Sequence, residues 1–155
     1  MSADVAPTAA SAGATPAAPP ADRRVRVLGT LLVALGLLMG LAGVGTWAAI
    51  AQGLAQEEIT VSEDAAAFAG QPVVTPWTVW AQAEVIRADL DEMTGGRTYA
   101  EMDREDPQRP AVATGTFLRA SLITSVVAFG VALALVGVGT GFVLGGLGLR
   151  GAAAR

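Results

Sequence analysis

The sequence predicts an all-α membrane protein: a two-span antiparallel transmembrane helical hairpin with a small helical extracytoplasmic domain between the spans. Three observations carry this expectation. Ala120–Leu149 (ASLITSVVAFGVALALVGVGTGFVLGGLGL) holds no charge over about 30 residues, where about 20 suffice to cross a bilayer. Val27–Ala51 is likewise free of charge. The charges are also sorted by sign. Arg23, Arg24 and Arg26 precede the first run, Arg150 and Arg155 follow the second, and twelve of the fourteen acids lie between. The positive-inside rule then puts both ends in the cytoplasm and the acidic middle outside, in the plasma membrane.

Hydrophobic residues make up 52% of the 155, and their concentration in two runs leaves too little for a sizeable soluble core. The net charge of −4 comes with no basic face, which argues against nucleic acid as a partner. Cysteine, histidine and lysine are all absent. That excludes a disulfide framework and a thiolate metal site. It also removes the commonest general base and metal ligand, and the amine a Schiff base requires.

Residues 1–22 are rich in Ala, Pro, Ser and Thr with almost no charge. Such a segment buries too little surface to offset its ordering entropy and is expected to be a disordered cytoplasmic tail. The first span is expected over residues 24–52. Ala49-Ile50-Ala51 fits an A-x-A cleavage site, but an apolar run of about 24 residues exceeds the 7–15 of a signal peptide, so the span is read as uncleaved. Trp47 suits the outer interface. Gly36 and Gly40 form a GxxxG step of the kind that lets helix backbones approach in lipid.

Residues 53–118 are expected to form the acidic helical extracytoplasmic domain. Thr60–Glu63 fits a capping box, with Ser62 opening a short helix through Phe68. Thr75-Pro76 is an N-cap followed by proline at the first helical position. The helix it opens should run from Pro76 to about Met93 and stop at Gly95-Gly96. Val79, Ala83, Ile86, Leu90 and Met93 make one apolar stripe, with Trp77 and Trp80 on its flank. The stripe needs a cover: the short flanking helices, the protruding span ends, the lipid surface or another protein, with an intramolecular cap on the span ends the first expectation; Trp77, Trp80, Ile86 and Leu90 form the candidate interaction face. Thr98–Glu101 is a second capping box, for a short turn of helix through about Arg104. Pro110 is placed to begin a long helix that descends as the second span, residues 119–149, before a cytoplasmic tail at 150–155. Gly137, Gly141 and Gly145 repeat the GxxxG step and are expected to pack on Gly36 and Gly40.

No catalytic, cofactor-binding or metal-binding set emerges. VGVGTGFVLGG lacks the Gly-Lys-Ser/Thr of a phosphate loop. Asp89-Leu-Asp91 lacks the glycine and glutamate spacing of a calcium loop. No ionisable residue lies within either charge-free run, Val27–Ala51 or Ala120–Leu149, to carry ions.

Four stretches resemble a family of small, largely uncharacterised actinobacterial membrane proteins. They are the Arg-flanked first span, ITVSEDAAAFAGQPV at Ile59–Val73, YAEMDREDPQR at Tyr99–Arg109, and FLRASLITSVVAFGVA at Phe117–Ala132. Members often bear the automatic label "aromatic ring-opening dioxygenase". The resemblance implies the two-span topology. The label does not fit this chain, because such enzymes hold iron through histidine and none is present.

The expected function is therefore non-enzymatic, needing no cofactor. The chain would serve as an accessory, assembly or interaction subunit of a larger membrane complex or a homo-oligomer, with membrane lipid and a protein partner or a second copy as its contacts. Two other expectations are a ligand sensor or enzyme using Glu101, Asp103 and Asp106 with Arg97 or Arg104, and an oligomeric channel or export component.

Overall fold

The computed structural model describes residues 20–154. Among them the chain forms three helices, α1 (Pro20–Gln56), α2 (Pro76–Thr94) and α3 (Arg109–Ala152), joined by irregular segments with one isolated bridge, Thr60 to Pro72. The fold is all-helical, and α1 and α3 are each long and apolar enough to cross a membrane. Only 17% and 22% of their most apolar stretches is buried, so Leu38, Leu41, Leu133 and Leu144 point outward.

α1 and α3 lie side by side and antiparallel. Gly29 meets Gly146, Gly36 meets Gly139, and Gly43 meets Ala132. Further along, the Trp47 and Phe129 rings meet edge to face, with centroids 4.7 Å apart. At the opposite end the Arg26 guanidinium donates to the Ala153 carbonyl, 3.1 Å away. Both helices outrun the expected spans of 24–52 and 119–149. α1 already begins at Pro20, inside the stretch expected to be disordered, with Asp22 in its first turn, where the helix dipole favours an acid. The rest of that expected tail, residues 1–19, lies outside the described residues.

α2 obeys its local sequence. Thr75 is extended and accepts from the Thr78 backbone N–H, while the Thr78 hydroxyl accepts from the Thr75 N–H, closing a reciprocal cap. Gly95 ends the helix in the left-handed conformation (φ 64°), which costs a residue with a Cβ far more. The helix runs antiparallel to α3: Leu90 lies against Gly115, Glu84 reaches Arg119, and Val79 and Ala83 join Leu122 and Phe129 in the core.

The expected helix from Ser62 to Phe68 does not form. Its backbone is engaged elsewhere. Val61 donates to the Gln71 carbonyl, Gly70 to Val61, and Val73 to Ile59. The Ser62 N–H donates to Gln82 Oε1 on α2, 2.9 Å away. These bonds turn residues 59–73 back on themselves and bury Val61 and Val73, each worth about 1.5–3 kcal/mol of hydrophobic stabilisation. Thr98–Glu101 likewise makes a turn and no helix: the Glu101 carboxylate accepts from the Thr98 N–H, but the chain bends away at Met102.

Residues 57–108, comprising α2 and the irregular segments on either side of it, form a cap on the helix pair, and the core sits where the two meet. Val61, Val73, Val79, Ala83, Leu122 and Phe129 are buried there, with Trp47, Ile50, Leu54 and Ile86 around them.

Candidate interaction surfaces

The contact between α1 and α3 is built on two repeats. Gly29, Val33, Gly36, Gly40, Gly43, Trp47, Ile50 and Leu54 step by four and three along α1, and each is buried or half-buried. Gly146, Val143, Gly139, Val136, Ala132, Phe129, Ser125 and Leu122 do the same in reverse on α3. A period of 3.5 keeps one face in register along a paired helix. In the half nearest Arg26 the backbones themselves touch. A Cβ added at Gly29, Gly36, Gly43, Gly139 or Gly146 would stand under 3.0 Å from a carbonyl oxygen of the other helix.

That register differs from the expected GxxxG pairing. Of the five glycines put forward, Gly36 lies at the centre of the contact. Gly40 offers its backbone to Gly139, with open space where its own side chain would be. Gly137, Gly141 and Gly145 are exposed with nothing near their Cβ positions, so they do not hold the two helices together. The reason is geometric. Steps of four drift around a helix, whereas the seven-residue spacing of Gly29, Gly36 and Gly43, matched by Ala132, Gly139 and Gly146, stays on one line. That spacing was the available signal. The glycines at 137, 141 and 145 instead form a second small-residue face, open to whatever surrounds α3.

The expected interaction face on α2 divides in two. Ile86 packs at the core and Leu90 against Gly115, so both are used within the chain. Trp77 and Trp80 are 63% and 50% exposed. Phe68, 42% exposed, joins them around a shallow apolar groove of about 380 Å³ that Asp64 and Glu84 border. Phe68 has φ of 62°, a conformation bulky residues rarely adopt, and nothing in its immediate sequence signals it.

Two of the three carboxylates considered for ligand binding, Glu101 and Asp106, are committed to turns. Both the Thr98 N–H and its hydroxyl donate to Glu101 Oε2 at 2.8 Å, and those bonds hold the Glu101 carboxyl below the usual carboxylate range. Asp106 accepts from the Gln108 N–H and lies 3.5 Å from the Arg97 guanidinium. Arg109 stacks on Tyr99, 4.1 Å from the ring centroid, and donates to the Met102 carbonyl. Asp103, Arg104 and Glu105 flank an open depression of about 560 Å³. On α2, Arg87 bridges Glu84 and Asp91 at 2.9 and 2.8 Å; Glu84 above all raises its pKa. These are exposed pairs, screened by solvent, and they contribute little to stability.

A larger groove of about 680 Å³ runs between the helix pair and α2, bounded by Ile50, Leu54, Ile86, Leu118 and Leu122, with Glu57 and Gln82 at its rim. Compared with protein-family models, curated proteins and solved structures, the chain matches none.

Proposed function

We propose that the protein is a two-span integral membrane protein with both ends in the cytoplasm and residues 53–118 outside. It acts by binding, as an accessory or assembly subunit of a larger membrane complex or as a homo-oligomer. The reading of the family as actinobacterial two-span proteins, made from the resemblance alone, is part of the same proposal.

The carrying observation is the outward surface of α1 and α3. Only about a fifth of each apolar stretch is buried within the chain, and Leu31, Leu38, Leu41, Val131, Leu133 and Leu144 are each more than half exposed. Soluble monomers rarely expose contiguous apolar patches larger than a few hundred Å². Lipid satisfies such a surface, and α-helices satisfy their own backbone groups there. Arg23, Arg24 and Arg26 stand at the same end of the pair as Arg150, which supports the orientation. A binding role is supported by the open Gly137–Gly141–Gly145 face, since small residues admit a further helix in lipid. The absence of histidine, cysteine and lysine from the sequence, together with the engagement of Glu101 and Asp106 in turns, favours binding over catalysis.

The test is the mass of the protein extracted in mild detergent, by light scattering. A dimer or larger assembly, or a stoichiometric partner, is expected, and Gly141→Leu should reduce it to a single chain. A strict monomer with nothing bound contradicts the proposal.

A further inference from the structure

The exposed aromatic groove on the cap has a definite height along the helix pair. Because α2 is antiparallel to α3 with Leu90 at Gly115, the start of α2 lies level with α3 residues near 128, about 20 Å closer to the Arg26 end than Leu90 is. Trp47 and Phe129 lie at that same height. From Arg26 to Trp47 is about 31 Å of helix, and from Arg150 back to residue 128 about 33 Å. The hydrocarbon layer of a bilayer is about 30 Å thick. With the arginines at one face of that layer, Trp77 and Trp80 fall at the other.

Their chemistry suits that level. Side chains on a helix tilt toward its N-terminus, and here the N-terminus of α2 points toward the spans. Tryptophan prefers the boundary where an apolar ring meets wet headgroups. Phe68 completes the patch, held there by a backbone conformation it would otherwise avoid. At a similar height along the pair, Val127 and Val131 of α3 are 60% and 55% exposed. Its bordering acids, Asp64 and Glu84, are not a cationic lure for anionic lipid, so the attraction is apolar.

We infer that Phe68, Trp77 and Trp80 form an anchor that seats the cap in the headgroup–acyl boundary of the outer leaflet. The occupant of the groove is phospholipid. The inference rests on the two-span reading, and the experiment separates the two.

Protein is reconstituted into phosphatidylcholine vesicles whose acyl chains carry bromine either near the headgroup or near the chain end. Trp47→Phe leaves Trp77 and Trp80 as reporters. A second protein, Leu38→Trp with all three native tryptophans changed to phenylalanine, reports the middle of α1. The Trp77/Trp80 emission should lose most of its intensity to shallow bromines and less to deep ones, while the Leu38→Trp reporter shows the reverse order. If the mid-span reporter is quenched and the pair responds only to aqueous iodide, the anchor is overturned and the two-span reading stands. If neither responds to bromine, both fall. The chain has no cysteine, so Ala67→Cys with a nitroxide label repeats the measurement with every native aromatic in place. Greater accessibility to oxygen than to an aqueous nickel complex is expected, and the opposite ratio overturns the anchor.

Discussion

The two halves of the α1–α3 pair solve the same packing problem with different materials. Near Arg26 and Arg150 the helices meet through Gly29, Gly36, Gly43, Gly139 and Gly146, backbone against backbone. Near the cap they meet through Trp47, Ile50, Leu54, Phe129 and Leu122, side chain against side chain, with α2 and the 59–73 segment closing over them. The difference follows the solvent proposed for each half. In lipid, clustering apolar side chains gains nothing from water, so close van der Waals approach is the main attraction and glycine is the way to reach it. Where water is at hand, large side chains return the hydrophobic stabilisation of their buried area. A single repeat of fours and threes runs through both halves; only the residue size changes.

This contrast can be broken by substitution. Phe129→Ala should have the largest effect, about 3–5 kcal/mol, because the ring is 1% exposed and shared by Trp47 and the cap core. Thermal unfolding in mild detergent, followed by circular dichroism, checks it; a loss under about 1 kcal/mol would mean the cap end is not the large-side-chain core described. Gly36→Ala comes next. One added methyl meets the Gly139 carbonyl and Val143, which cannot yield without parting the helices, so about 1–3 kcal/mol should be lost. The same change at Gly141, which faces open space, should leave the pair intact or gain up to about 1 kcal/mol of helix propensity. Equal effects at the two glycines would contradict the observed register.

The smallest expected effect concerns the turn at Thr98. The Glu101 carboxyl is held low mainly by the Thr98 backbone N–H and then by its hydroxyl. The folded turn is therefore favoured at pH above the ordinary carboxylate range. That contribution fades as pH falls through the depressed value, when the proton displaces both bonds. A carboxyl-detected NMR titration should find Glu101 titrating below the ordinary glutamate value, and Thr98→Ala should move it back up. A midpoint at the ordinary glutamate value would contradict the hydrogen-bonded turn.

Much of the fold was legible in the residues. The two charge-free runs and the arginines flanking them marked α1 and α3, and Thr75-Pro76 with Gly95 bounded α2 to within a residue. These signals are local, and local backbone chemistry decided the outcome. The register of the pair was hidden because nineteen glycines offer several overlapping patterns. Ala132 also interrupts the glycine series that would have exposed the seven-residue spacing. The 59–73 segment misled for a different reason. Thr60–Glu63 has a helix-start pattern, but Gly70, Gln71 and Gln82 compete for its backbone, and a partner about ten or twenty residues away leaves no mark within a four-residue motif. The aromatic groove was half legible: Trp77 and Trp80 were evident, whereas Phe68 joins them only through a left-handed turn.

The claim on which the rest depends is that the cap and the chain ends lie on opposite sides of a membrane. It is tested most directly by placing single cysteines at Gly96 and at Ala154 in the cysteine-free chain and treating intact cells with a membrane-impermeant maleimide. The account predicts labelling at position 96 in intact cells, and at 154 only after the cells are opened. Labelling of 154 alone in intact cells, or of both positions together, would contradict it.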